Sequence, residues 1–106
     1  MKFQESYAII KKRFEELDMS KVDKDFSGIL CITGKDCGFV YASYISGEKF
    51  IEPKEHKSAN IIVTVSDTTF EDILMKRVDI FKAFTTGQIK AKGNVFLAMS
   101  IYRQLK

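Results

Sequence analysis

The closing segment of this chain carries more apolar surface than one contact face requires. Residues 95–105 read VFLAMSIYRQL after Gly93-Asn94. Asn94 suits a helix N-cap, because its side chain can accept from the free amides of the first turn. On a helical wheel Val95, Ala98, Met99, Tyr102 and Leu105 form one stripe, and Leu97 and Ile101 widen it. The apolar arc then covers roughly 200°, where an ordinary amphipathic helix needs about 100°. Phe96 falls outside even that arc. Two readings stay open on these residues alone. Either the helix is wedged between a sheet and a second helix, or buried in a dimer; or one flank faces the sheet while the other lines a pocket.

The segment before it fixes what that helix packs on. Gln88-Ile89-Lys90-Ala91-Lys92 alternates, with Ile89 and Ala91 on one face and the three polar residues on the other. Period-two alternation predicts a strand with one buried and one wet face. Gly87 suits the left-handed residue that ends a preceding helix.

Upstream, residues 2–17 place Phe3, Tyr7, Ile10, Phe14 and Leu17 at spacings of four and three, which predicts an amphipathic first helix. Residues 18–25 are expected as a polar connector. Residues 26–33, FSGILCIT, are apolar on both faces, which predicts a central strand. Gly34-Lys35-Asp36 turns it into a second strand at 37–45. Ser46-Gly47-Glu48 turns again into a short strand at 49–52 that Pro53 ends, and its charges suit a sheet edge. Residues 60–66 form the next strand, with Ile61, Val63 and Val65 on one face. Thr68 and Glu71 have the spacing of a capping box for the helix that follows, whose buried side is Phe70, Ile73 and Leu74. Asp79 is expected to cap a short helix containing Ile80, Phe81 and Phe84. The order of elements predicts an α+β domain over residues 1–106, a five-stranded mixed sheet with helices on one face.

Composition excludes several function classes. The net charge of +3 is mild, and apart from Lys11-Lys12-Arg13 the bases read as scattered among acids. That is too little for nucleic acid. At a bilayer such a cluster gives at most transient contact, since each charge there contributes about 1 kcal/mol. Cys31 and Cys37 flank a tight turn and would face each other only across a five-residue loop, so free thiols are expected rather than a disulfide. The cysteines and the lone His56 form no metal-binding pattern, no cofactor is implied, and His56 in its charged loop is expected as a surface residue without a role. Asp67, Asp72, Asp79 and the cysteines are the candidate catalytic groups. The aspartates sit where helix caps are expected, so no enzyme is predicted. The charged start and the closing Arg103-Gln104-Leu105-Lys106 match neither a signal peptide nor a peroxisomal address, which predicts a cytoplasmic location.

The run Lys82-Ala83-Phe84, Gly87-Gln88-Ile89-Lys90, Gly93-Asn94 and Leu97-Ala98-Met99 resembles the signature of the sterol carrier protein, or nonspecific lipid-transfer, domain family. Val63-Thr64-Val65-Ser66-Asp67 followed by Phe70 is similar to that family's step from strand to helix. The resemblance covers residues 60–102. It implies a mixed sheet under helices, enclosing an apolar tunnel for sterols, fatty acids or acyl chains. Wheel positions together with the resemblance give Phe70, Leu74, Ile80, Phe81, Phe84, Ile89, Leu97, Met99 and Ile101 as the expected lining, each of which could equally be plain core. The expected function is intracellular carriage of a hydrophobic small molecule by a monomer or weak homodimer. The alternative is a structural or dimerising module with a filled core.

Overall fold

The computed structural model describes residues 1–20, 22 and 24–98. Its elements are α1 (Phe3–Glu15), β1 (Phe26–Thr33), β2 (Gly38–Ile45), β3 (Glu48–Glu52), β4 (Ile61–Ser66), α2 (Asp67–Leu74), α3 (Ile80–Thr85) and β5 (Ile89–Gly93). A helical turn at 95–98 follows β5. Met99 and Ile101, two of the expected lining residues, lie outside the described residues.

The five strands form one sheet in the order β3-β2-β1-β4-β5. The β1–β4 pair is parallel and the other pairs are antiparallel, so the sheet is mixed. β1 is central and β3 is an edge, as their side-chain patterns predict. The β2–β3 hairpin turns through Ser46 and Gly47 at φ 53° and 82°. Two positive values suit a two-residue turn whose twist matches the flanking strands. Across the first hairpin Cys31 is opposite Phe39, so the two thiols are out of register and both are free.

Register assigns one sheet face to the helices. Phe26, Leu30 and Ile32 of β1 share that face with Val40, Ala42 and Tyr44 of β2, Val63 and Val65 of β4, and Ile89 and Ala91 of β5. Two apolar clusters form on it. In one, Phe14, Leu17, Met19 and Phe26 are buried, with Ala42, Tyr44, Ile51 and Leu97 packed against them. In the other, Ile32, Val65, Ala83 and Ile89 are buried, with Phe3, Leu30, Val63, Phe70, Ile73 and Ile80 around them. All three helices contribute to these clusters.

Three local expectations are corrected. The connector at 18–25 is not wholly polar in role, because Met19 is in the core at 5% exposure. The cap of α2 is Ser66, whose hydroxyl accepts from the Thr69 amide at 3.2 Å. Thr68 therefore makes no capping box with Glu71. Glu71 instead pairs with the amino group of Met1 at 2.6 Å, joining the start of α1 to α2. His56 is half-buried rather than a plain surface residue; its ring stacks on Tyr41 at 3.6 Å and its Nε2 lies 3.5 Å from Glu52.

Candidate functional site: an apolar cavity between sheet and helices

The second cluster does not fill its space. Between β1, β4 and β5 and the elements above them lies a cavity of about 190 Å3. Its floor is laid by register. Leu30 is opposite Val63, and Val63 opposite Ala91, so these three form one row across the sheet. Val65 and Ile89 form the next row, and all five side chains line the cavity. The walls are Phe70 and Ile73 of α2, Ile80, Phe81 and Phe84 of α3, and Val95 and Ala98 of the turn after β5.

Caps and a close approach hold these walls in place. Asp79 accepts the Lys82 amide at 3.2 Å and starts α3. Asn94 accepts the Leu97 amide at 3.1 Å and starts the helical turn at 95–98, as its sequence position predicts. Gly93 lies between, at φ 92°, and a Cβ there would collide with the Asn60 carbonyl. That approach lets the Asn94 amide donate to the Asn60 carbonyl at 3.0 Å. Asn60 in turn holds β1, accepting from the Ser27 amide at 3.1 Å. The end of β5 is thus tied to the starts of β4 and β1.

Every lining residue is apolar. With no donor or acceptor among these side chains, the cavity cannot hold ordered water well, because a buried water needs two to four polar partners. An apolar cavity on the order of 150 Å3 stays dry and accepts an apolar guest. This cavity is of that size class and is only partly enclosed, with Phe84 40% exposed at its margin.

Five expected lining residues, Phe70, Ile80, Phe81, Phe84 and Ile89, border the cavity. Leu74 and Leu97 do not. Leu74 is buried one residue beyond Ile73, where its carbonyl accepts from Arg13 of α1 at 3.4 Å. Leu97 packs on the Phe14 cluster, so the flank of the closing helix that meets the cavity is the one carrying Val95 and Ala98. Sequence reasoning missed Leu30, Val63, Val65, Ile73, Ala91, Val95 and Ala98 as lining. Alternation marks most of them as buried, but only the parallel β1–β4 pairing brings Leu30 beside Val63.

The model of the SCP-2 sterol transfer family matches residues 12–106. The chain belongs to that family. A further relative is the peroxisomal multifunctional enzyme type 2 of Mus musculus, 34% identical over 61 residues, which is 58% of this chain and 8% of that protein. The chain therefore spans a small part of that enzyme. Among solved structures, palmitated SCP2L2 from Aedes aegypti superposes with a TM-score of 0.81 at 19% identity, covering 99% of this chain and 95% of that one. The inverting sec-alkylsulfatase Pisa1 from Pseudomonas sp. gives a TM-score of 0.70 at 17% identity, covering 88% of this chain and 15% of that one. At such identities the two superpositions speak for the fold. The SCP-2 family fold is thus shared with whole small proteins and with parts of large enzymes.

Proposed function

We propose that the chain is a lipid carrier which holds the hydrocarbon part of a fatty acid, acyl chain or sterol-like molecule in this cavity. The observation that carries the reading is the uniformly apolar lining of a space larger than the core needs. Its gain on binding is burial, about 25 cal/mol for each Å2 of apolar surface removed from water. A lining without hydrogen-bonding side chains selects by shape alone, so selectivity among chains is broad. A straight chain suits the present volume better than a rigid ring system. The polar head of the guest stays outside, because nothing in the lining would satisfy it. Binding by the palmitated relative agrees with this choice of guest.

Carriage rather than catalysis fits the state of the candidate groups. Asp79 is occupied as a cap, Asp67 accepts from the Asp36 amide at 2.8 Å, and Asp72 pairs with Arg77 at 3.1 Å. We place the carrier in the cytoplasm, working as one domain. A second reading, delivery of a substrate to an enzyme, is favoured by the multifunctional enzyme among the relatives.

Native mass spectrometry of the purified protein tests the reading, together with displacement of a fluorescent fatty acid. A co-purifying lipid, or saturable displacement by palmitate, is the expected result. Absence of both would leave a structural module as the better description.

A further inference from the structure

Among the described residues the cavity is bounded on most sides. No member of the Phe14 cluster borders it, and Leu97 packs on that cluster, so the space stops short of the β2–β3 end of the sheet. On another side Ala83, with no exposure, packs with Ile32, Val65 and Ile89 and leaves no room beyond them. Phe84 is the one lining residue among those described that is exposed, at 40%, and it marks the way in. A chain that enters there runs inward from its polar head, which stays at the margin.

Two lining residues are smaller than the rest. Ala91 lies in the floor row beside Val63, and Ala98 belongs to the turn after β5. Every other described lining side chain is Val or larger. A longer side chain at either alanine would occupy the empty space, so these two positions govern its depth.

Volume then limits the guest. A dry cavity of about 150 Å3 takes benzene, a guest of six carbons. Filled to the same degree, 190 Å3 takes about eight carbons. Each methylene that reaches the cavity contributes about fourfold in affinity. Methylenes beyond the limit remain at the margin, still partly in water, and add little.

We propose that the cavity is matched to a straight chain of about eight carbons, a medium-chain acid or the acyl group of its ester, and that Ala91 and Ala98 set this length. The proposal rests on the carrier reading above and adds the size of the cargo. Longer acids still bind, with their first eight or so carbons' worth of burial and the remainder outside.

Competition against a bound fluorescent fatty acid tests the limit, with butyrate, hexanoate, octanoate, decanoate, dodecanoate and palmitate as competitors. Inhibition constants should tighten about fourfold per methylene up to octanoate and by less than about twofold per methylene thereafter. Ala91→Leu should move the break down to hexanoate, and so lower the affinity for octanoate about tenfold or more. Ile73→Ala, which removes bulk from the α2 wall, should move it up to decanoate. A break that stays at octanoate in both variants overturns the proposal. So does a loss spread equally over all lengths in Ala91→Leu, which would mark Ala91 as ordinary packing. An unbroken rise through palmitate also overturns it, since the walls would then yield to the guest, but that result leaves the carrier reading standing. Failure of every acid to compete defeats the carrier reading and this proposal with it.

Discussion

The two ends of the helix-covered sheet face use the same kinds of side chain and reach different outcomes. Over β1 to β3 the cover is α1, 13 residues long, and the segment after it. Phe14, Leu17 and Met19 meet Phe26 there as a closed cluster. Lys49 of β3 locks it, donating to the Glu15 carbonyl at 3.0 Å and to that of Leu17 at 2.5 Å, with its ammonium 5.9 Å from the Phe14 ring. Over β4 and β5 the cover is two helices of 8 and 6 residues and the turn at 95–98. Alanines stand at 91 and 98, where longer side chains would meet, and about 190 Å3 stays empty. Apolar content alone does not decide whether a core closes. The length of the covering element and a few small residues decide it.

The comparison is tested most strongly at Phe14. Phe14→Ala should cost about 3–5 kcal/mol, read as a fall in the urea midpoint, because the closed end has no slack to absorb the loss. The protein that remains folded should still take up the fluorescent chain. At the open end, Ala91→Leu should do the reverse. It should weaken uptake by about tenfold, or ~1.4 kcal/mol, and raise stability by about 0.5–2 kcal/mol as the void is filled. A loss of stability there would mean that the space is already taken by overpacked side chains. Asp79→Ala removes the cap of the shortest wall helix and should cost about 1 kcal/mol, with faster amide exchange confined to α3.

Asp67→Asn gives the smallest effect. The Asp36 amide, donating to it, holds the Asp67 carboxyl below its ordinary value. A depressed carboxylate contributes stability above its unfolded value and loses it as pH falls through the folded one. Urea midpoints of the wild type and Asp67→Asn should therefore differ at neutral pH and converge in acid. A gap that persists in acid would assign the difference to something other than this carboxylate.

Much of the fold was legible because local chemistry set it. The two apolar faces of residues 26–33 require a central strand, and β1 is central. Pro53 stops the third strand after Glu52. Asp79 and Asn94 cap the helical segments they precede. The site was legible only in part. Phe70, Ile80, Phe81, Phe84 and Ile89 border the cavity because wheel or strand position turns each one inward. The floor was missed, since no local pattern shows that Leu30 and Val63 become neighbours across a parallel pair. Leu97 was assigned to the wrong flank for a related reason. A wide apolar arc tells how much surface is covered, and not which side meets packed atoms and which meets a void. Met19 escaped notice because its neighbours in sequence are polar, whereas its neighbours in space are Phe14, Leu17 and Phe26.

The strand order has a consequence for synthesis. β5, the last strand among the described residues, is the one that covers the outer side of β4. Until it emerges from the ribosome, β4 presents an unpaired ladder beside Ile61, Val63 and Val65, a template for foreign strands. Nascent chains that have released β4 but not yet β5 are thus the species most prone to aggregate, and chaperone engagement should peak in that interval.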